Sequence, residues 1–318
     1  MKRLILAMLA VFAIFAIAGC GGDSKAKKEA DTEKWNSYID ISNSMKTVYK
    51  GLDGYVEVFG NELKYEQPKS MTKFLNAMSS GPEKDRVEKG LKKASELSAK
   101  GSTELDKTAA KTFAAMNELY TALADSYAYY RNKDYVDDNY AKAQKLHERV
   151  IKAYPAFEES TPVFNKIMDA EAKVRRKAEI KEMSAEGYKI RASMLSAIDA
   201  AKNMQDILIE QDITSQNLQS LKMDVFRPAY DEFVKALGEY DKVKDDKNQR
   251  KKEQIQDYSV ESVAKCLKDV KASAAGLIER YQTKAAPPRM IPGSTTGTPE
   301  NFDQKMDMLI TRYNQSLR

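Results

Sequence analysis

From Trp35 onward, large apolar side chains return at alternating steps of three and four residues. Tyr38, Ile41, Met45, Val48, Leu52, Tyr55 and Phe59 keep this spacing over three heptads, which places them on one face of a helix. A second line runs through Phe113, Met116, Tyr120, Leu123, Tyr127 and Tyr130. A third passes from Tyr140 through His147, Val150, Tyr154, Phe157, Thr161 and Phe164 to Met168, and continues through Val174, Ile180, Tyr188, Leu195 and Leu208. No alternating β-branched run bounded by turn pairs interrupts them. The expected fold is all-α, an elongated bundle of about six to eight helices, several of them long, because 3,4 stripes favour near-parallel packing.

The punctuation of the chain sets the boundaries. Gly51 and Gly54 weaken the first helix and call for a bend or a close neighbour. A short helix is expected around Met71 to Met78, and Ser80-Gly81-Pro82-Glu83 reads as a capping box that starts another. That next region carries Val87, Leu91 and Ala94, and Gly101 marks a kink or a boundary. Pro155 and Pro162 either kink the long third region or split it at Glu158 to Thr161. Later helices are expected at roughly Ser215 to Lys242, from Ser259, and after Thr298-Pro299-Glu300. The polar stretch Lys242 to Asp257 is either an interdomain linker or a hairpin tip. There is no repeat near 34 residues, so a tetratricopeptide array is not expected.

Ahead of the helices, Lys2 and Arg3 precede an unbroken apolar run from Leu4 to Ala18. At about 15 residues the run is short for a membrane span, which needs roughly 20, and it has the form of a signal peptide. Ile17-Ala18-Gly19-Cys20 resembles the lipobox of bacterial lipoproteins, and that resemblance implies cleavage after Gly19 and lipidation of Cys20. Several acyl chains on one residue would anchor the protein without a spanning helix. The expected organisation is a signal peptide at 1–19, the lipidated Cys20 with a flexible tether to residue 33, and one helical domain at 34–318, with two sub-bundles as an open variant. Loss of residues 1–19 removes Lys2 and Arg3 and lowers the formal charge from +5 to +3, too small an excess to argue for nucleic acid.

Little in the sequence carries chemistry. One His and two distant Cys exclude a His-His metal site, a Cys-based zinc site and a disulfide framework. Phosphate loops, nucleophile elbows, HExxH and EF-hand loops are absent from the sequence. No cofactor, metal ligand set or catalytic residue is expected. His147 lies on an apolar stripe, where a satisfied core histidine is the more common state. Cys266 sits beside Leu267 in an amphipathic helix and is expected to be buried and inert.

Six of the 17 tyrosines lie between positions 120 and 140. They either pack a helix end against the bundle or form a surface for a ligand or partner, with Tyr127, Tyr130, Tyr135 and His147 as the residues to examine. Asp134, Asp137, Asp138 and Asn139 fit helix capping better than cation binding.

Lys34-Trp35-Asn36-Ser37-Tyr38-Ile39, with Asn43, and Lys133-Asp134-Tyr135-Val136-Asp137-Asp138 running on to Leu146-His147 resemble the YiiG-type family of bacterial lipoproteins. The resemblance covers most of the chain from Lys34 onward. It implies an all-helical lipoprotein and no known activity. The expected function is a non-enzymatic, membrane-tethered helical module that binds another envelope protein, peptidoglycan or a small ligand. A periplasmic small-ligand or metal-ion carrier is the alternative, and an envelope hydrolase the remaining one. In a Gram-negative host the protein would sit on the outer membrane facing the periplasm, otherwise on the outer face of the cytoplasmic membrane.

Overall fold

The computed structural model describes residues 22–79, 85, 92, 103–286 and 295–316. Among these there are ten α-helices, eight of seven residues or more, and no strand, so the protein is an all-α helical bundle. The lipobox, Cys20, the Ser80–Glu83 capping box and the line of Val87, Leu91 and Ala94 lie outside the described residues.

The chain divides into two compact units that meet in sequence at Ala170 and Glu171. The first holds α1 (Gly22–Phe59), α2 (Thr72–Met78), α3 (Glu104–Asn132), the single turn α4 (Tyr135–Asp138) and the first part of α5 (Ala143–Ala185). The second holds the rest of α5, then α6 (Lys189–Glu210), a 3-10 turn at Leu218–Ser220, α7 (Met223–Val243), α8 (Lys247–Lys252), α9 (Asp257–Thr283) and α10 (Pro299–Ser316). The closest packed pairs are α6 with α7 and α9 with α10 in the second unit, and α1 with α2 in the first.

In the first unit, every residue of the Tyr38 to Phe59 stripe is 5 % exposed or less. Gly51 and Gly54 are there for a close neighbour: a Cβ at Gly54 would lie 2.7 Å from the Ala77 Cβ, and one at Gly51 would lie 2.5 Å from the Met78 sulfur. The two glycines let α2 seat directly on the α1 backbone. Asp106 ties α1 to the start of α3. Its buried carboxylate accepts from Thr103 N at 3.0 Å in a reciprocal capping box, pairs with Lys34 at 2.8 Å and accepts from the Tyr38 hydroxyl. α1 itself begins at Gly22, so helix runs through residues 22–33, where composition alone called for a tether. That stretch is rich in Ala, Lys and Glu, contains no proline and continues into an already nucleated helix.

One alternative left open by the sequence is settled, and two later segments differ from the sequence reading. α5 is one helix through Pro155 and Pro162, whose rings both face solvent, and Ser160 and Thr161 back-bond to Ala156 O and Phe157 O at 2.8 Å. Its buried line does not pass through Val174, which is 64 % exposed; it runs through Ala172, Arg176, Glu179 and Met183. α5 then ends in a Schellman motif, with Gly187 at φ 73°, Gly187 N on Ser184 O at 3.1 Å and Tyr188 N on Met183 O at 2.8 Å. Finally, Ser215 to Lys222 is not the start of α7. Asn217 holds that segment in turns, accepting from Thr214 N at 2.6 Å and donating to Asp212 O at 2.8 Å, while Leu218 and Leu221 are buried.

Side chains fix the remaining connections of the second unit. The 242–257 stretch is a hairpin tip. Asp246 caps α8, and Arg250 bonds Lys244 O, Asp245 and Asp257 at 2.6–2.9 Å. Before α10, Gly297 at φ 83° lies so close to Gly276 that a Cβ there would be 2.8 Å from its carbonyl oxygen. Arg280 donates to Ser215 O at 2.7 Å and Gly297 O at 3.2 Å, joining two loops through one buried guanidinium. Thr298 then caps α10 by accepting from Asn301 N at 3.1 Å, with Pro299 at the first helical position.

Candidate functional site

The residues singled out from sequence meet at one end of the first unit. His147 is wholly buried. Its Nε2 lies 2.6 Å from Glu62 O, a carbonyl that can only accept, so Nε2 carries the hydrogen and Nδ1 is left to accept from the Tyr55 hydroxyl at 3.0 Å. Both ring nitrogens are therefore committed within the core. Tyr55 also packs against Phe59 in a tilted pair at 4.6 Å and meets Phe74 edge-on at 5.1 Å, and burial pushes its phenol upward from the ordinary range.

Tyr130 is as deep as His147, with its ring 4.7 Å from Phe59 and 5.0 Å from Tyr129. Tyr127 and Tyr135 are only half-buried. Tyr127 carries Arg131 over its ring face at 5.7 Å, and Tyr135 stacks on Tyr140 at 4.9 Å. Tyr140 adopts a left-handed φ of 63°, uncommon for an aromatic residue, which turns the chain toward α5 just after Asn139 at φ 51°. The four candidates thus share one aromatic cluster, but only Tyr127 and Tyr135 reach its surface. Next to Tyr135 in sequence, Val136 is 69 % exposed; Leu63, 54 % exposed, belongs to the loop that Gln144 ties to α5, donating to the Leu63 carbonyl at 3.1 Å and accepting from Tyr65 N at 3.0 Å.

The acidic run serves this end structurally. Asp138 accepts from the Tyr129 hydroxyl at 2.7 Å and from Lys142 N at 3.3 Å, and the Tyr129 bond holds its carboxyl below the usual carboxylate range. Among the described residues no three His, Cys, Asp or Glu side chains come together to hold a metal ion. Cys266 is a buried free thiol, pushed up by burial.

The sequence reading missed a layer of buried ionisable groups in the second unit. Arg176 pairs with Asp199 at 2.7 Å, the fully buried Lys202 pairs with Asp206 at 2.5 Å, and Gln205 donates to Asp303 at 3.0 Å. Glu179 is buried with neither carboxylate oxygen hydrogen-bonded; burial, with Glu182 adding to it, pushes its carboxyl up to about 7. Burial likewise pushes Asp303 up to about 6. Charged residues at helical spacing read as a solvated face, so the periodicity gave no signal for them. Glu253 was missed as well. From beyond α8 it caps α6, its two oxygens accepting from Ile190 N and Arg191 N at 2.8 Å each.

No curated protein and no solved structure matches the chain. A family described as a protein of unknown function, DUF3829, matches residues 29–315, which spans both units. The chain belongs to the DUF3829 family.

Proposed function

We propose that the protein is a bacterial envelope lipoprotein of the YiiG type, anchored through Cys20, whose helical domain binds a partner and catalyses no reaction. The observation that carries the anchor is the order basic head, short apolar run, Ile17-Ala18-Gly19, Cys20. No helix among the described residues is long and apolar enough to cross a membrane. The attachment on this reading is the lipid on Cys20. Two observations support binding over catalysis. The one imidazole has both nitrogens committed inside the core, and the one thiol beyond the lipobox is buried with its pKa raised.

The partner surface on this reading is the half-exposed Tyr127 and Tyr135 with Val136 and Leu63, aromatic and aliphatic groups at the end of the first unit. The anchor is tested by Cys20→Ser and fractionation, with mass spectrometry of the amino terminus. Release from the membrane, or accumulation of an uncleaved precursor, is expected. A variant processed and retained as before sinks the anchor. For the surface, a photo-crosslinker at Tyr135 should trap one reproducible envelope protein, and Val136→Glu should abolish the adduct. A second reading, carriage of a small ligand within the bundle, is favoured by a charged cleft in the second unit.

A further inference from the structure

In the second unit α5, α6 and α7 enclose a half-open cleft of about 130 Å³, room for several waters or one small solute. Its floor is already neutralised. Arg176 pairs with Asp199, and Asp206 is held by the buried Lys202. Neither carboxylate is left over to attract a cation, and the guanidinium is not left over to attract an anion.

The groups without an ion-pair partner among the described residues stand on the rims. Lys173 and Lys177, one helical turn apart on α5, present two ammonium groups on one side. Glu232 on α7 and Asn203 on α6, from the other two helices, line the same cleft and bring a carboxylate and an amide to it. Opposite charges without ion-pair partners lining one space of this size suit a small solute that carries both signs.

We propose that this cleft binds a small amino-carboxylate, a free amino acid or the end of a short peptide. Lys173 and Lys177 hold its carboxylate, and Glu232 with the Asn203 carbonyl oxygen holds its ammonium group. A simple anion would satisfy only the lysines and leave Glu232 repelling it. A simple cation would leave two lysines repelling it. The inference rests on the small-ligand form of the binding-module reading and not on the lipid anchor.

Calorimetry on the full-length chain in detergent tests it, with glycine, L-alanine and L-glutamate as probes and acetate, methylammonium and inorganic phosphate as single-sign controls. At least one amino acid should bind at least tenfold more tightly than every control. Lys177→Ala and Glu232→Gln, both at exposed positions and checked for an unchanged fold by circular dichroism, should each weaken it by tenfold or more. Acetate or phosphate binding as tightly as the amino acids, with Glu232→Gln without effect, would make this a plain anion site and overturn the proposal. Absence of heat with every probe also overturns it, and leaves the partner surface at Tyr135 to stand or fall by its own crosslinking result.

Discussion

Tyr55 donates its phenol hydrogen to Nδ1 of His147 across 3.0 Å, in a core that excludes solvent from both side chains. The bond joins α1 to α5 over 92 residues of sequence, and the opposite ring nitrogen secures the loop at Glu62. Tyr55→Phe orphans Nδ1 alone, which should cost about 1–2 kcal/mol. His147→Ala opens a cavity and strands both the phenol and the Glu62 carbonyl, which should cost roughly 3 kcal/mol or more. Urea denaturation of the two variants measures this. A His147→Ala protein as stable as the parent would mean that the imidazole is not a structural clamp.

Gly54 and Gly238 both sit inside helices, and their substitution by Ala should act in opposite directions. At Gly238 a Cβ meets nothing within 4 Å, so Ala should stabilise by about 0.5–1 kcal/mol through helix propensity. At Gly54 the same Cβ runs into Ala77 at 2.7 Å and Lys73 O at 3.3 Å, so α2 must lift from α1. Overpacking of this kind costs about 1–3 kcal/mol and should outweigh the propensity gain. Thermal melts of the pair decide it; equal shifts of the same sign would show that α2 is not seated on the α1 backbone.

Glu253 replaces a local cap that α6 lacks, since Tyr188 makes no capping hydrogen bond. Glu253→Ala leaves the Ile190 and Arg191 amides without an acceptor, one of them buried, for a loss of roughly 2 kcal/mol. Hydrogen exchange should localise the loss to the first turn of α6, with the α9–α10 pair unaffected. Uniformly faster exchange across the second unit would contradict a capping role.

How much of this was legible depended on whether burial coincided with apolarity. Along α1 the two coincide at every member of the stripe from Tyr38 to Phe59, so the stripe and its helix read correctly, and of the bend or close neighbour that Gly51 and Gly54 called for, the structure shows the neighbour. In the second half of α5 they part. The face that packs inward carries Arg176 and Glu179, and the apolar Val174 points out, so the eye follows the wrong line. His147 could be placed on an apolar face from its spacing. Its partners could not, because Tyr55 and Glu62 reach it only through the tertiary fold. Ser215 to Lys222 misled for a local reason: Leu218 and Leu221 keep helical spacing, but the Asn217 side chain bonds the backbone that a helix would need.

Glu179 gives the fold a pH dependence of definite sign. Its carboxyl has an ordinary value of 4.5 and is pushed up to about 7, first by burial and then by Glu182, against the pull of Arg191 on α6 and Arg176 on its own helix, with the Tyr313 phenol of α10 also facing it. The folded chain therefore holds this proton more tightly than the unfolded chain. Its contribution is fully present below pH 4.5 and is lost as pH rises through 7. Asp303 acts in the same direction from 3.8 to about 6, moderated by its bond from Gln205 and by Lys202. Stability should thus decline between pH 5 and pH 8. Glu179→Gln, which keeps the shape and cannot ionise, should flatten that decline and gain up to about 3 kcal/mol over the parent at pH 8, with little difference at pH 5. Denaturant midpoints at the two pH values for the parent, Glu179→Gln and Asp303→Asn measure it. An unchanged slope in Glu179→Gln would mean that water or a rotamer change relieves the buried charge.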